Sequence, residues 1–181
     1  MTSPLLLASF LALQTSSAPV PLDVQLPAFL KALSYDRNLT DSDDGALGIG
    51  IVFDPADAAS VGAKDRLVAI HRELTRLRVK GREVRLVPIA YETEGTLGEA
   101  GIKVLLVAPL SPARLGSVVR EAASSDFLTL ATDVAYVDRG VAMGMEMDGG
   151  RPRFVVNLDA AVDGGASFEA SFLNLCRIVE K

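Results

Sequence analysis

Four short apolar runs constrain this chain more than any other feature: residues 46–53 (ALGIGIVF), 83–91 (EVRLVPIAY), 103–108 (KVLLVA) and 127–131 (FLTLA). The first, a continuous apolar run, reads as a strand covered on both faces, and the other three read as further strands, the pattern of a mainly parallel sheet when helices alternate with them. The segments between them supply the helices. From about residue 61 to 80, Ala63, Leu67, Ile70, Leu74 and Leu77 recur at intervals of three and four, and Lys64, Asp65, Arg72, Glu73, Arg76 and Arg78 fall outside that stripe. This predicts an amphipathic helix with Gly81 placed to end it. A shorter helix is expected over residues 24–33, where Leu26, Phe29, Leu30 and Leu33 share a face. Another should open at Ser111-Pro112, with Ser as cap and Pro in the first turn, and run to about residue 123. One helical turn is expected around residues 96–100, and a second, capped by Asp133, extending to residue 139. Residues 141–147 and 153–158 flank Asp148-Gly149-Gly150, a hairpin signal. Residues 168–179 place Phe168, Phe172, Leu175 and Val179 on one face of a closing helix. The expected fold is a single three-layer α/β/α domain with a mainly parallel sheet, a C-terminal antiparallel hairpin and a closing helix.

Composition narrows the function. The length of 181 residues suits one domain, and 49% hydrophobic residues suffice for a core. With 18 Lys and Arg against 23 Asp and Glu, the net charge of −5 argues against nucleic acid as partner. One cysteine, Cys176, cannot close an intrachain disulfide, and one histidine, His71, excludes centres that need two imidazoles. Residues 1–18, MTSPLLLASFLALQTSSA, carry no charged side chain and an apolar stretch too short to span a bilayer. Small residues at Ser16 and Ala18 precede Pro19 and Pro21, the arrangement of a cleaved secretory signal, which leaves a mature α/β domain over residues 19–181. Nothing further along resembles a membrane span, and the mature protein is expected outside the cytoplasm.

The candidate site residues are few. Asp54 and Asp133 should lie just past strand ends, the side on which open α/β sheets bind ligands. Arg72, Arg76, Arg78, Lys80, Arg82 and Arg85 form a local cationic excess in an acidic chain, and Arg72 and Arg76 are candidate contacts to an acidic partner or lipid headgroup, against the plainer reading of a solvated helix end. Met143, Met145 and Met147 would share one face of a strand. Spaced thioethers suit Cu(I), but core packing explains them better. His71 sits at the edge of the helical stripe and Asn157 and Asp159 are placed to cap a helix. The acidic loop DSDDG lacks the spacing of a calcium site. The chain has no G-x-S-x-G elbow, no phosphate loop and no dinucleotide fingerprint, so it reads as a binding protein rather than an enzyme, with no cofactor and no metal called for.

The last third of the chain, from Gly140 through Met143, Met145, Arg153, Phe154, Asn157, Leu158, Ala160 and Ala161 to Phe172, Leu173 and Leu175, resembles the YfiR/HmsC-like family of exported bacterial proteins. FLKALSYDRNL and FLTLATD extend the likeness over most of the mature chain. The resemblance implies a periplasmic α/β protein that regulates an inner-membrane signalling protein, a diguanylate cyclase or a sensor histidine kinase, and so cyclic di-GMP signalling. Homodimerisation stays open. Family members with redox behaviour carry several cysteines, so no disulfide switch is implied for a chain with Cys176 alone. The alternative is an envelope protein that binds a small ligand or Cu(I).

Overall fold

The computed structural model describes residues 19–39, 45–74, 77–98 and 101–180, and the leader segment 1–18 lies outside them. Helix α1 (Leu22–Leu33) precedes strand β1 (Leu47–Phe53), helix α2 (Ala58–Glu73) and strands β2 (Arg78–Val79), β3 (Arg82–Ala90) and β4 (Ile102–Val107). Then come helix α3 (Pro112–Ser124), strand β5 (Leu128–Ala131), a 3-10 helix (Val134–Arg139), strands β6 (Met143–Asp148) and β7 (Arg151–Asn157), short helices α4 (Leu158–Asp163) and α5 (Ala170–Leu173), and strand β8 (Arg177–Val179). All eight strands form one sheet in the order β2-β3-β1-β4-β5-β6-β7-β8. The five from β3 to β6 in that order are mutually parallel, β7 runs antiparallel to β6, and β8 is parallel to β7. The fold is the mainly parallel α/β architecture that the apolar runs demand.

Strand β1 lies between β3 and β4 and is buried along nearly its whole length. Leu47, Ile49 and Ile51 enter the core beneath α1 and α2, whereas Val52 joins the core beneath α3 with Ile89, Leu105, Leu115 and Val118. The glycines of GIG serve this packing. A Cβ on Gly50 would stand 2.6 Å from the Ile89 side chain, and one on Gly48 would stand 2.5 Å from the Gly101 carbonyl oxygen, so neighbouring strands and side chains occupy the room that a larger residue needs.

Two helices are shorter than their sequence stripes suggest. Helix α2 begins at Ala58, behind an Asp57 side chain that accepts from the Ala59 N–H, and ends at Glu73 rather than near residue 80. Gly81 does not cap it. Instead Lys80 (φ 49°) and Gly81 (φ 77°) form the turn of a β2–β3 hairpin, both residues in the left-handed region that two-residue hairpin loops require. The closing segment is helical only over Ala170–Leu173, after which Arg177–Val179 pairs with β7 as an edge strand. Phe168 and Phe172 pack inward as expected, but Leu175 is 70% exposed. Residues 96–98 are not helical.

Other local expectations hold. Ser111 accepts from the Arg114 N–H with Pro112 in the first turn, Asp133 accepts from the Ala135 N–H, and Gly149 and Gly150, both at positive φ, close the β6–β7 hairpin. Asn157 caps α4 through its oxygen and donates its amide to the Val137 carbonyl. Met143 and Met145 are buried in the core beneath α1 and Met147 packs against it.

Candidate functional site

The strand order β3-β1-β4 places a topological switch at β1, because the chain leaves β1 in one direction to form β3 and returns past it to form β4. The carboxyl ends of such strands are where open α/β sheets bind ligands. Asp54, Tyr91, Ala108 and Thr132 follow β1, β3, β4 and β5 at that end. They build two adjoining regions of different character.

The region around Asp54 is closed. The residue is 7% exposed. Its Oδ2 lies 2.9 Å from Arg114 Nε, its Oδ1 accepts from the Ala56 N–H at 2.9 Å, and its own N–H donates to Ser60 Oγ at 2.8 Å. Arg114, from the first turn of α3, also donates to the Tyr91 carbonyl. The Tyr91 hydroxyl donates to Glu121 Oε2 at 3.0 Å, and the other oxygen of that carboxylate accepts from the Leu97 N–H at 2.9 Å. Burial, reinforced by the Glu121 carboxylate that accepts its proton, pushes the Tyr91 phenol up to about 12. A buried carboxylate paired in this way is held by the fold and offers little to a ligand.

The region around Asp133 is open. A groove of about 600 Å³ runs between Pro19, Val20 and Pro21 ahead of α1, Leu22 and Gln25 in its first turn, Ala63 of α2, Pro109 after β4, Thr132, Asp133 and Val134 after β5, and Met145 and Glu146 of β6. That volume lies within the range of small-molecule sites. Gln25, 2% exposed, lines it. Its Nε2 donates to the Val20 carbonyl at 2.7 Å and to the Thr132 carbonyl at 3.0 Å, which fixes the amide's orientation because both partners only accept. Its Oε1 is, among the described residues, the one buried side-chain polar atom without a hydrogen-bond partner. Between the two regions Tyr136 anchors the β4–α3 loop, its hydroxyl accepting from the Leu110 N–H and donating to the Leu110 carbonyl.

The structure therefore separates the residues singled out by sequence. Asp133 is exposed at the rim of the groove, Asp54 is buried beside Arg114, and exposed Arg72 ends α2 near the start of β3, where neighbouring His71 Nε2 lies 2.9 Å from the Val84 carbonyl. Arg76 lies outside the described residues. Of the other cations in that cluster, Arg78 reaches Glu83 at 3.2 Å, Arg82 reaches the carbonyls of Gly45 and Ala46, and Arg85 is exposed. This charge lies along β2 and β3 at one edge of the sheet, where it also discourages pairing with another chain. Gln25, Tyr91, Arg114 and Tyr136 escaped the sequence reading. Only Gln25 carried a signal, as a polar residue at helical spacing from the apolar Leu22 and Phe29.

Among the described residues no three His, Cys, Asp or Glu side chains are grouped to hold a metal, and no helix is long and apolar enough to cross a membrane. A family model described as YfiR/HmsC-like matches residues 57–177. No curated protein matches the sequence. Among solved structures, a conserved domain protein from Vibrio cholerae O1 biovar El Tor superposes with a TM-score of 0.60 at 14% identity, over 89% of this chain and 60% of that one. The ABC domain from Streptococcus pneumoniae in complex with L-Trp also gives 0.60, at 15% identity, over 88% of this chain and 62% of that one. The chain thus spans about three fifths of the length of either structure, and the likeness is one of fold.

Proposed function

The chain belongs to the YfiR/HmsC-like family, and from that premise we propose that it is a non-enzymatic periplasmic regulator that binds the periplasmic part of an inner-membrane diguanylate cyclase or sensor kinase and thereby adjusts cyclic di-GMP signalling. The family match over residues 57–177 carries this reading. The rest is consistent with it: a leader that reads as an export signal, and an α/β body whose charged strand-end residue Asp54 is tied up in structural bonds. The described cations best placed to meet an acidic partner are the exposed Arg72, Arg78 and Arg85 at the β2–β3 edge.

The test is a cross-linked pull-down of the tagged protein from its own envelope, with partners identified by mass spectrometry. Enrichment of one membrane cyclase or kinase, lost when export is blocked, is the expected result, and Arg72→Glu should reduce that enrichment while leaving the fold intact. Recovery of the protein alone, or of partners independent of export, overturns the reading.

A further inference from the structure

The outer edge of β3 does not suit an added strand. The Tyr91 N–H donates to the Phe53 carbonyl at 2.9 Å, and the β1–β3 register is unbroken up to Ala90. The odd-numbered residues of β3 therefore turn their backbone groups toward β1, and Val84, Leu86, Pro88 and Ala90 turn theirs outward, beyond the residues that β2 covers. Two of these four are already disabled. His71 Nε2 lies 2.9 Å from the outward Val84 carbonyl, and Pro88 has no N–H to give. An extended acidic peptide laid along this edge would find its ladder broken at both places.

What the edge offers is charge. Among the described residues between 72 and 85, Arg72, Arg78, Lys80, Arg82 and Arg85 face only Glu73 and Glu83, in a chain whose net charge is −5. The arginines straddle the edge. Arg78 stands opposite Glu83, two residues before Arg85, so Arg78 and Arg85 share one face of the sheet. Arg72 ends α2, whose Leu67 and Ile70 share a core with Val79 and Val84 on the other face. All three arginines are exposed, and Leu77 beside them is 38% exposed. A broad anionic surface can meet both faces of an edge at once, needs no backbone ladder, and carries phosphates that match the guanidinium fork. We propose that the β2–β3 edge docks on an anionic phospholipid bilayer. This rests on the periplasmic regulator reading, which brings the chain to the membrane that carries its partner, and it names the acidic surface that these arginines meet.

The exported protein, purified from the envelope, is sedimented with vesicles of phosphatidylethanolamine and phosphatidylglycerol and, separately, of phosphatidylcholine alone. It should bind the anionic vesicles at least about tenfold more tightly than the neutral ones and lose that preference as salt is raised. Arg85→Glu or Arg72→Glu should weaken the binding by about tenfold. Arg151→Glu, the same change of charge at an exposed position on β7, toward the other end of the strand order, should leave it unchanged. Equal binding to neutral vesicles, indifference to Arg85→Glu, or the same loss from Arg151→Glu overturns the proposal. The vesicles hold no partner protein, so such a result leaves the envelope pull-down standing, and a failed pull-down leaves the vesicle binding standing.

Discussion

Asp54 and Asp133 occupy equivalent places, each the first acidic residue past the end of a parallel strand, yet the fold treats them in opposite ways. At Asp54 each carboxylate oxygen and the backbone N–H has a partner within 3 Å, and the guanidinium that meets it is itself bonded to the Tyr91 carbonyl. Beside Asp133 the fold leaves a cavity and an unpaired amide oxygen. A strand end at a switch point is thus a place where a site can form, and the side chains arriving from the helices decide whether it does. Helix α3 brings Arg114 and Glu121 to the first region, while α1 and α2 bring Gln25 and Ala63 to the second.

The largest effect is expected where the bonding is most complete. Asp54→Ala strands Arg114, whose side chain is only 33% exposed, and removes the acceptor of the Ala56 N–H, so unfolding in urea should show a loss of about 3 kcal/mol. Arg114→Ala in the same background should cost much less than it does alone, since the charge it would leave behind is already gone. Additive losses would mean that the pair does not hold this region closed.

The same network predicts a response to alkali. The Tyr91 phenol, raised from the usual 10 to about 12 by burial and then by Glu121, keeps its proton in the folded state while the unfolded chain has lost it. The stabilisation is therefore complete below about pH 10 and is lost as the pH rises through about 12. Ultraviolet titration should show a late phenol that Tyr91→Phe removes, and that variant should lose less stability over this interval than the parent. A Tyr91 signal that titrates near the usual 10 would show the Glu121 contact to be absent in solution.

Tyr136 separates the two regions and tests whether they are independent. Its hydroxyl is the only described side-chain group that bonds both backbone atoms of Leu110, so Tyr136→Phe should cost about 1–2 kcal/mol in the same urea experiment. It should also loosen Pro109 on the groove wall, and amide hydrogen exchange should quicken at Leu110 while that of Ala56, held by Asp54, is unchanged. Faster exchange at both would join the two regions into one unit.

These differences were only partly legible in the sequence. The strands declared themselves, because ALGIGIVF or KVLLVA has nowhere to go but the middle of a sheet, and the caps Ser111, Asp133 and Asn157 followed from local chemistry. The end of α2 did not. Leu74 and Leu77 prolong the helical stripe, but a Lys-Gly turn folds Arg78 and Val79 back on β3, and Leu77 is left 38% exposed. In the closing segment, a stripe shared by Phe168, Phe172, Leu175 and Val179 gave way to pairing of Arg177–Val179 with β7. Both errors arise where a helical period competes with a strand edge that is visible only once the sheet exists. The groove was legible at Asp133 alone, since its other walls come from residues 19–22, 25, 63, 109 and 145–146, which no local pattern connects.

The smallest expected effect sharpens the comparison most. Gln25→Leu removes a 98% buried amide and leaves the Val20 and Thr132 carbonyls without its donors, losses that by themselves resemble those of any buried polar truncation. It also removes the unpaired Oε1, whose desolvation the folded state bears with nothing in return. The two contributions oppose, and the net cost should fall to about 1 kcal/mol or less, well below that of Asp54→Ala although Gln25 is the more deeply buried of the two. That inversion of cost against burial is the signature of a polar group retained for something other than stability. If Gln25→Leu instead costs as much as Asp54→Ala, its oxygen is satisfied within the folded protein, and the two strand ends are equally closed.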